Sequence, residues 1–128
     1  MKFSIDKNEK YTILTLDEEK IDTLKAPKLK SEFVTLYQTG TNNLILDLSK
    51  VKYTDSSGLS AILMANRMTK EVNGHLVLVG ITEHVMKVMS MARLDSVLNI
   101  LPTTQEAIDA VFLHELEKDI DSNPNGKA

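Results

Sequence analysis

Residues 54–59, Thr54-Asp55-Ser56-Ser57-Gly58-Leu59, lie where one sequence pattern changes into another. A short apolar run at residues 43–48 precedes them, which is typical of a buried strand. The apolar residues that follow are spaced as one face of an amphipathic helix: Leu59, Ile62, Leu63, Met68 and Val72. We therefore predict that this stretch joins a strand to a helix that begins near Ser57.

The polar side chains of this junction point to phosphate chemistry. Free backbone N–H groups and the positive end of the helix dipole meet at the start of a helix, and both favour a phosphate group. Ser56 or Ser57 is thus a candidate switch residue. The simpler interpretation is that one serine caps the helix while Asp55 complements the dipole. A cap needs one hydroxyl, however, and the stretch offers those of Thr54, Ser56 and Ser57 beside an acid.

Outside this junction, strand and helix patterns alternate along the chain. Two segments of alternating apolar and polar residues, 2–6 and 11–16, predict an N-terminal hairpin. Further elements are predicted in the order helix 25–39, strand 44–48, helix 57–71, strand 75–79, helix 82–91, strand 97–101 and a last helix after Thr103. Thr82 and Thr103 are expected to cap their helices.

This order of elements sets the fold class. Strands that alternate with helices pair in parallel through crossover connections, and the leading hairpin makes the sheet mixed. We therefore predict an α/β fold: a mixed sheet of about five strands, the N-terminal hairpin and then parallel strands, with about four helices. One face of the sheet is expected to be covered and the other partly open.

The composition limits the classes of function that are possible. The 128 residues suffice for one domain, which we place at residues 1–118, with a polar, disordered tail at 119–128. The absence of cysteine excludes disulfides, thiolate metal sites and thiol catalysis. The charge is −3 and basic residues are interspersed with acids, so we expect no direct nucleic-acid binding. No apolar run suits a signal peptide or a membrane span, so we expect a cytoplasmic protein without membrane insertion.

The segment Leu46-Asp47-Leu48-Ser49-Lys50-Val51-Lys52-Tyr53-Thr54-Asp55-Ser56-Ser57-Gly58-Leu59 resembles the signature of the STAS domain, as found in bacterial anti-sigma factor antagonists. The resemblance covers roughly Met1 to Leu116, with similar residues at Ile21-Asp22, Gly74, Leu78-Val79-Gly80 and Glu106-Ala107. One departure is Glu19, because many members have a glycine after the second strand.

The resemblance implies a STAS-like fold and a partner switch. An antagonist of this kind binds an anti-sigma factor that is also a serine kinase, and this binding releases the sigma factor. The kinase phosphorylates the serine directly after the motif's aspartate, which is Ser56 here, and the complex separates. A PP2C-type serine phosphatase restores the first state. The protein is then a regulator rather than an enzyme, without cofactor or metal, and a monomer when free.

The same resemblance implies roles for the residues around Ser56. Asp55 serves as an interface and positioning residue, Ser57 is the helix cap, and Gly58 lets the backbone approach the partner closely. The expected partner surface consists of Asp22, Thr54, Asp55, Ser57, Gly58 and Leu59.

Three other functions are weighed against this one. A STAS module can be a constitutive scaffold, for example a subunit of a transporter or sensor complex, in which the serine only caps the helix. A receiver domain would gather Asp17, Glu18 and Asp47 around Mg²⁺, but a strand precedes Asp17 and no lysine follows the last strand. A serine hydrolase is disfavoured because residues 54–58 lack the Gly-x-Ser-x-Gly pattern. No histidine spacing suits a metal either.

Overall fold

Residues 1–121 are described by a computed structural model, and they form a sheet with helices on both faces. The strands are β1 Phe3–Lys7, β2 Thr12–Leu16, β3 Lys20–Ile21, β4 Leu44–Asp47, β5 Tyr53–Thr54, β6 Leu76–Val79 and β7 Asn99–Leu101. The helices are α1 Ala26–Gln38, α2 Ser56–Glu71, α3 Glu83–Met91 and α4 Thr104–Asp121.

The main sheet has the strand order β1-β2-β4-β6-β7. β1 and β2 pair antiparallel as a hairpin, whereas every other neighbour in this sheet is parallel. α1, α2 and α3 each lie in a connection between two parallel strands, as such pairing requires. The predicted fold class, a mixed sheet of five strands with four helices, is therefore confirmed for residues 1–121.

A second sheet was not predicted, and it positions the candidate site. β3 and β5 pair in parallel, with Lys20 opposite Tyr53 and Ile21 opposite Thr54. Strands of two residues show no periodicity in the sequence, which is why the pattern did not reveal them. This pairing brings the segment before α1 against the segment before α2.

The two faces of the main sheet carry separate cores. The larger core lies under α1, α2 and α3 and includes Phe33, Leu46 and Ile62. On the opposite face, Val111 of α4 packs with other buried residues over β4 and β6. The hairpin side is less covered, since Ile5 of β1 keeps 39% of its surface exposed. Within residues 1–121, no helix combines the length and apolar character needed to cross a membrane.

One predicted cap and the bounds of two elements differ from the structure in ways that have a physical reason. Thr82 precedes α3, but its hydroxyl donates to the Val51 carbonyl (2.7 Å) instead of capping the helix. β7 begins at Asn99 rather than residue 97, because the N–H groups of Val97 and Leu98 bond back to Leu94 in a turn. α4 continues to Asp121, so residues 119–121 of the predicted tail are helical; residues 122–128 lie outside the described part of the chain. The predicted cap at Thr103 is confirmed, since its hydroxyl accepts from Glu106 N at 3.2 Å.

Asn43 joins three segments of the chain at the end of the sheet away from the start of α2. Its side-chain nitrogen donates to Lys10 O (2.8 Å) and to a carboxylate oxygen of Glu115 in α4 (2.7 Å). Its side-chain oxygen accepts from His75 N at 2.8 Å. The hydrogen bond from Asn43 holds the pKa of Glu115 below its usual value, so the carboxylate is the favoured form.

We predict that Asn43→Ala lowers the free energy of unfolding by about 2–3 kcal/mol, because the buried side chain loses three hydrogen bonds worth about 1 kcal/mol each. Urea unfolding followed by circular dichroism measures this loss. The matched control is Asn42→Ala at the exposed neighbouring position, which should change stability by less than about 0.5 kcal/mol. Equal losses in both variants would contradict the assigned role of Asn43.

Candidate functional site

The start of α2 is capped by Asp55. The backbone of Asp55 is extended (φ −110°, ψ −172°), and one carboxylate oxygen accepts from Ser57 N (2.9 Å) and Gly58 N (3.1 Å). Such bonds satisfy two of the N–H groups that a helix start leaves free. The expectation that Ser57 is the cap was therefore wrong: an acid one residue outside the helix reaches these N–H groups, and Ser57 lies within the helix.

Ser56 is the first residue of α2, and its side chain is exposed. Because Asp55 does the capping, the Ser56 hydroxyl has no hydrogen-bond partner within residues 1–121. A modifying enzyme could reach this oxygen without breaking any interaction of the described chain. Of the hydroxyls in the junction, Thr54 and Ser57 are engaged with other residues.

The loop between β3 and α1 lies against this junction. The Thr23 hydroxyl is 3.2 Å from that of Ser57 and donates to a carboxylate oxygen of Asp55 at 3.4 Å. Asp22 shapes the loop, since its carboxylate accepts from Leu24 N (3.1 Å) and Lys25 N (3.3 Å). Ile21 also contacts the junction directly, since Asp55 N donates to the Ile21 carbonyl at 3.4 Å.

Three residues expected on the partner surface are buried instead. Thr54 is 3% exposed and donates to the Ile21 carbonyl at 3.0 Å, while Leu59 is 6% exposed and belongs to the core. Gly58 is also buried: a Cβ there would collide with Thr54 Oγ1 and lie 2.7 Å from Ile21 O. Its lack of a side chain serves close packing of α2 on β3, not the approach of a partner. Burial therefore removes these three residues from the expected surface.

An open hollow lies beside Ser56, with a volume of about 380 Å³. It is lined by Thr23, Ala26, Pro27, Lys30, Ser56, Ser57 and Ser60. Lys30 carries the only charge among these lining residues, and it forms no ion pair within residues 1–121. The hollow can therefore hold a negatively charged group close to Ser56.

The surface next to Ser56 also carries an apolar side chain that the sequence analysis missed. Leu24 is 81% exposed and follows Thr23 in the loop that contacts Asp55 and Ser57. A single leucine in a loop belongs to no periodic sequence pattern, so only its position in the structure, next to Thr23, shows that it lies beside Ser56. Together, Asp22, Thr23, Leu24, Lys30, Asp55, Ser56, Ser57 and Ser60 form what we call the Ser56 surface.

The three acids that a receiver domain would gather around Mg²⁺ make salt bridges or turn hydrogen bonds instead. Asp17 pairs with Lys50 at 3.7 Å and Glu18 with Lys25 at 3.4 Å. Asp47 accepts from Ser49 N at 2.9 Å. In residues 1–121, no three His, Asp or Glu side chains come together in a group that could hold a metal ion.

The histidines have structural neighbours. His84 stacks on Tyr53 with ring centres 5.4 Å apart, and His75 stacks on His114 at 4.8 Å. Burial, together with the charge that His114 can carry, holds the pKa of His75 below its usual value. The neutral imidazole of His75 is therefore favoured, as expected for a ring packed between elements.

Comparison with known proteins identifies the family. The family model described as the STAS domain matches residues 2–107. BtrV of Bordetella bronchiseptica, named as an anti-sigma factor antagonist, is 29% identical over 114 residues, which cover 88% of this chain and 95% of BtrV. The chain belongs to the STAS domain family.

Solved structures agree with this assignment. A crystal structure named for an anti-sigma factor antagonist of Thermotoga maritima has a TM-score of 0.76 and 27% identity, covering 85% of this chain and 93% of that one. The Bacillus cell fate determinant SpoIIAA in its phosphorylated form has a TM-score of 0.66 and 21% identity, covering 86% and 99% of the two chains. The second similarity is one of fold.

We predict that Gly58→Ala destabilises the domain by about 1–3 kcal/mol, because the added methyl group must displace the Ile21 backbone or Thr54. Thermal and urea unfolding measure the effect. Ser60→Ala, an exposed position on the same helix, is the control and should stay within about 0.5 kcal/mol of the wild type. A Gly58→Ala protein as stable as this control would show that the contact with β3 is not tight.

Proposed function

We propose that this STAS domain protein is an anti-sigma factor antagonist that is switched off by phosphorylation of Ser56. In the unphosphorylated state it binds an anti-sigma factor serine kinase and so releases a sigma factor in the cytoplasm. The observation that carries the proposal is the exposed hydroxyl of Ser56, which is unpartnered within residues 1–121 because Asp55 caps the helix. The names of BtrV and of the Thermotoga maritima protein support the same role.

In this proposal the partner contacts the Ser56 surface. Leu24 supplies an exposed apolar side chain at its edge, and Ser56, Ser57 and Ser60 supply small hydroxyls that let a partner approach closely. Asp55 and Asp22 contribute mainly by shaping this surface, since their carboxylates accept hydrogen bonds from the backbone of α2 and of the β3–α1 loop. Interfaces of this kind depend on a few well-packed residues, and Leu24 is the one we expect to matter most.

Phosphorylation changes the charge of this surface more than its shape. A phosphoserine carries about −1.5 to −2 charges near neutral pH. The contact is formed for a neutral hydroxyl, so the partner would have to bury the phosphate beside the Asp55 carboxylate. Desolvation and the stronger repulsion between the two buried charges then weaken the complex. A loss of about 4 kcal/mol of binding free energy weakens a complex about a thousandfold, since each 1.4 kcal/mol is a factor of ten. In this proposal, the change of charge at Ser56 alone separates the complex.

The domain itself can accept the phosphate. The group would stand at the N-terminus of α2, where the helix dipole favours negative charge, and the hollow with Lys30 lies beside it. SpoIIAA, whose fold this chain shares, is described in a phosphorylated form. A PP2C-type phosphatase would then restore the free hydroxyl, and the antagonist itself performs no catalysis.

The scaffold alternative is weaker on one specific point. It gives the serine a purely structural role as helix cap. Asp55 already holds the N–H groups of Ser57 and Gly58, and the Ser56 hydroxyl makes no bond within residues 1–121 that would stabilise the helix. A serine that contributes nothing to the described fold fits a modification site better than a cap.

We predict that Ser56→Ala binds the anti-sigma factor kinase encoded nearest to this gene within a few-fold of the wild-type affinity. Ser56→Asp should bind it at least about tenfold more weakly, because the complex must bury the added charge beside Asp55. Isothermal titration calorimetry gives both constants. Ser57→Ala serves as control for a change of hydroxyl at the next position and should stay close to the wild type. Equal affinities of Ser56→Ala and Ser56→Asp would refute the switch.

A second prediction concerns Lys30. With phosphoserine incorporated genetically at position 56, Lys30 should lower the second phosphate pKa, whose usual value is about 6, because a nearby cation favours the dianion; the Asp55 carboxylate acts in the opposite direction. Lys30→Met should raise that pKa by about 0.3 in a titration followed by ³¹P NMR. Lys28→Met is the matched control, since this exposed lysine of α1 lines a different hollow with Met1 and Phe3. Identical phosphate titrations in the two variants would show that Lys30 does not reach the phosphate.

A further inference from the structure

α4 is held on the sheet by one of its sides. Ala107 and Val111 are fully buried against β4 and β6, and one turn further along, His114 and Glu115 make polar contacts. The His114 ring lies 3.1 Å from the Asn73 carbonyl, and Glu115 accepts the bond from Asn43. These contacts fix the rotation of the helix about its axis, and therefore fix which residues face solvent.

The other side of α4 carries four exposed apolar residues, which we call the α4 stripe. Phe112, Leu113, Leu116 and Ile120 are 49%, 56%, 56% and 61% exposed. At 3.6 residues per turn, they fall within an arc of about 100° on the helix surface. Single exposed apolar residues are ordinary in proteins, but a contiguous stripe of large ones marks a contact surface.

Within residues 1–121, the ring of Tyr11 meets that of Phe112 edge-on with centres 6.4 Å apart, yet each of the four side chains keeps about half or more of its surface exposed. α1, α2 and α3 pack on the opposite face of the sheet and cannot reach the stripe. Residues 122–128, Ser-Asn-Pro-Asn-Gly-Lys-Ala, contain no large apolar side chain. The STAS family model ends at residue 107, so the stripe lies beyond the region that this chain shares with that model.

The charges around the stripe indicate what would bind there. Residues 104–120 include five acids, Glu106, Asp109, Glu115, Glu117 and Asp119, and a single basic residue, Lys118. Lys118 pairs with Glu115 at 3.4 Å, so its charge is already compensated. Two copies of this helix packed together would bring acids against acids, which disfavours a second copy as the occupant. A complementary surface must be apolar at its centre and basic at its border.

We propose that the α4 stripe docks an amphipathic helix of another protein whose apolar face is bordered by lysine or arginine residues. The docked helix would lie along α4 with its apolar side chains on Phe112, Leu113, Leu116 and Ile120 and its basic residues near Asp109 and Glu117. The stripe and the Ser56 surface lie on opposite faces of the sheet, so one copy of this protein can hold a partner on each.

The test uses the full chain and two synthetic helical peptides with the same leucine face, one bordered by lysines and the other by glutamates. Titration of ¹⁵N-labelled protein should move amide signals of residues 105–121 with the lysine peptide, at an affinity at least about tenfold above that of the glutamate peptide. The double variant Leu113→Gln/Leu116→Gln should lose at least about tenfold in affinity for the lysine peptide. Both positions are exposed, so the fold should persist, which circular dichroism checks.

The matched control is Met91→Gln, an exposed side chain at the end of α3 on the opposite face of the sheet, which should leave peptide binding unchanged. Equal affinity for the two peptides, signal changes spread over the whole surface, or unchanged binding by the double variant would each overturn the proposal. Sedimentation equilibrium of the protein alone measures whether it forms a dimer. A dimer that the double variant abolishes would make a second copy the occupant and would also overturn the proposal.

Discussion

The close packing of Gly58 against the Ile21 backbone is the constraint on which the candidate site depends. α2 can begin directly on β3 because residue 58 has no side chain, and the Thr54 hydroxyl bonds to the Ile21 carbonyl at the same contact. With the helix start fixed there, the Asp55 carboxylate reaches the first free N–H groups. The hydroxyl of Ser56 is left outside, exposed and without a partner in the described chain.

Much of the fold was predictable because its signals are periodic and local. Alternation gave the hairpin, and the apolar runs at β4 and β6 gave strands that are buried on both faces, as parallel strands usually are. The β3–β5 pair could not be predicted, since two residues show no period and their pairing depends on the rest of the fold. Thr82 shows a similar limit: its hydroxyl donates to the Val51 carbonyl, which is distant in sequence, instead of capping the helix that follows it.

The candidate site was predictable as a segment but not residue by residue. The resemblance grouped Thr54, Gly58 and Leu59 with Ser56, whereas the structure buries the first three and exposes only the serine. A sequence motif does not distinguish residues that hold a loop in place from those that the loop presents. Leu24 was missed for the opposite reason, since it reaches the surface beside Ser56 from a different loop. Likewise, the sequence predicted a last helix after Thr103 but not that this helix would expose Phe112, Leu113 and Leu116.

The central claim is that the exposed hydroxyl of Ser56, and no other hydroxyl of the junction, receives a phosphate. Intact-protein mass spectrometry with peptide mapping, after incubation with the anti-sigma factor kinase encoded nearest to this gene and ATP, tests it directly. We predict one added phosphate that maps to Ser56 in the wild type and in Ser57→Ala, and none in Ser56→Ala. An unmodified wild-type chain, or a phosphate that maps to Ser57 or Thr54, would contradict the account.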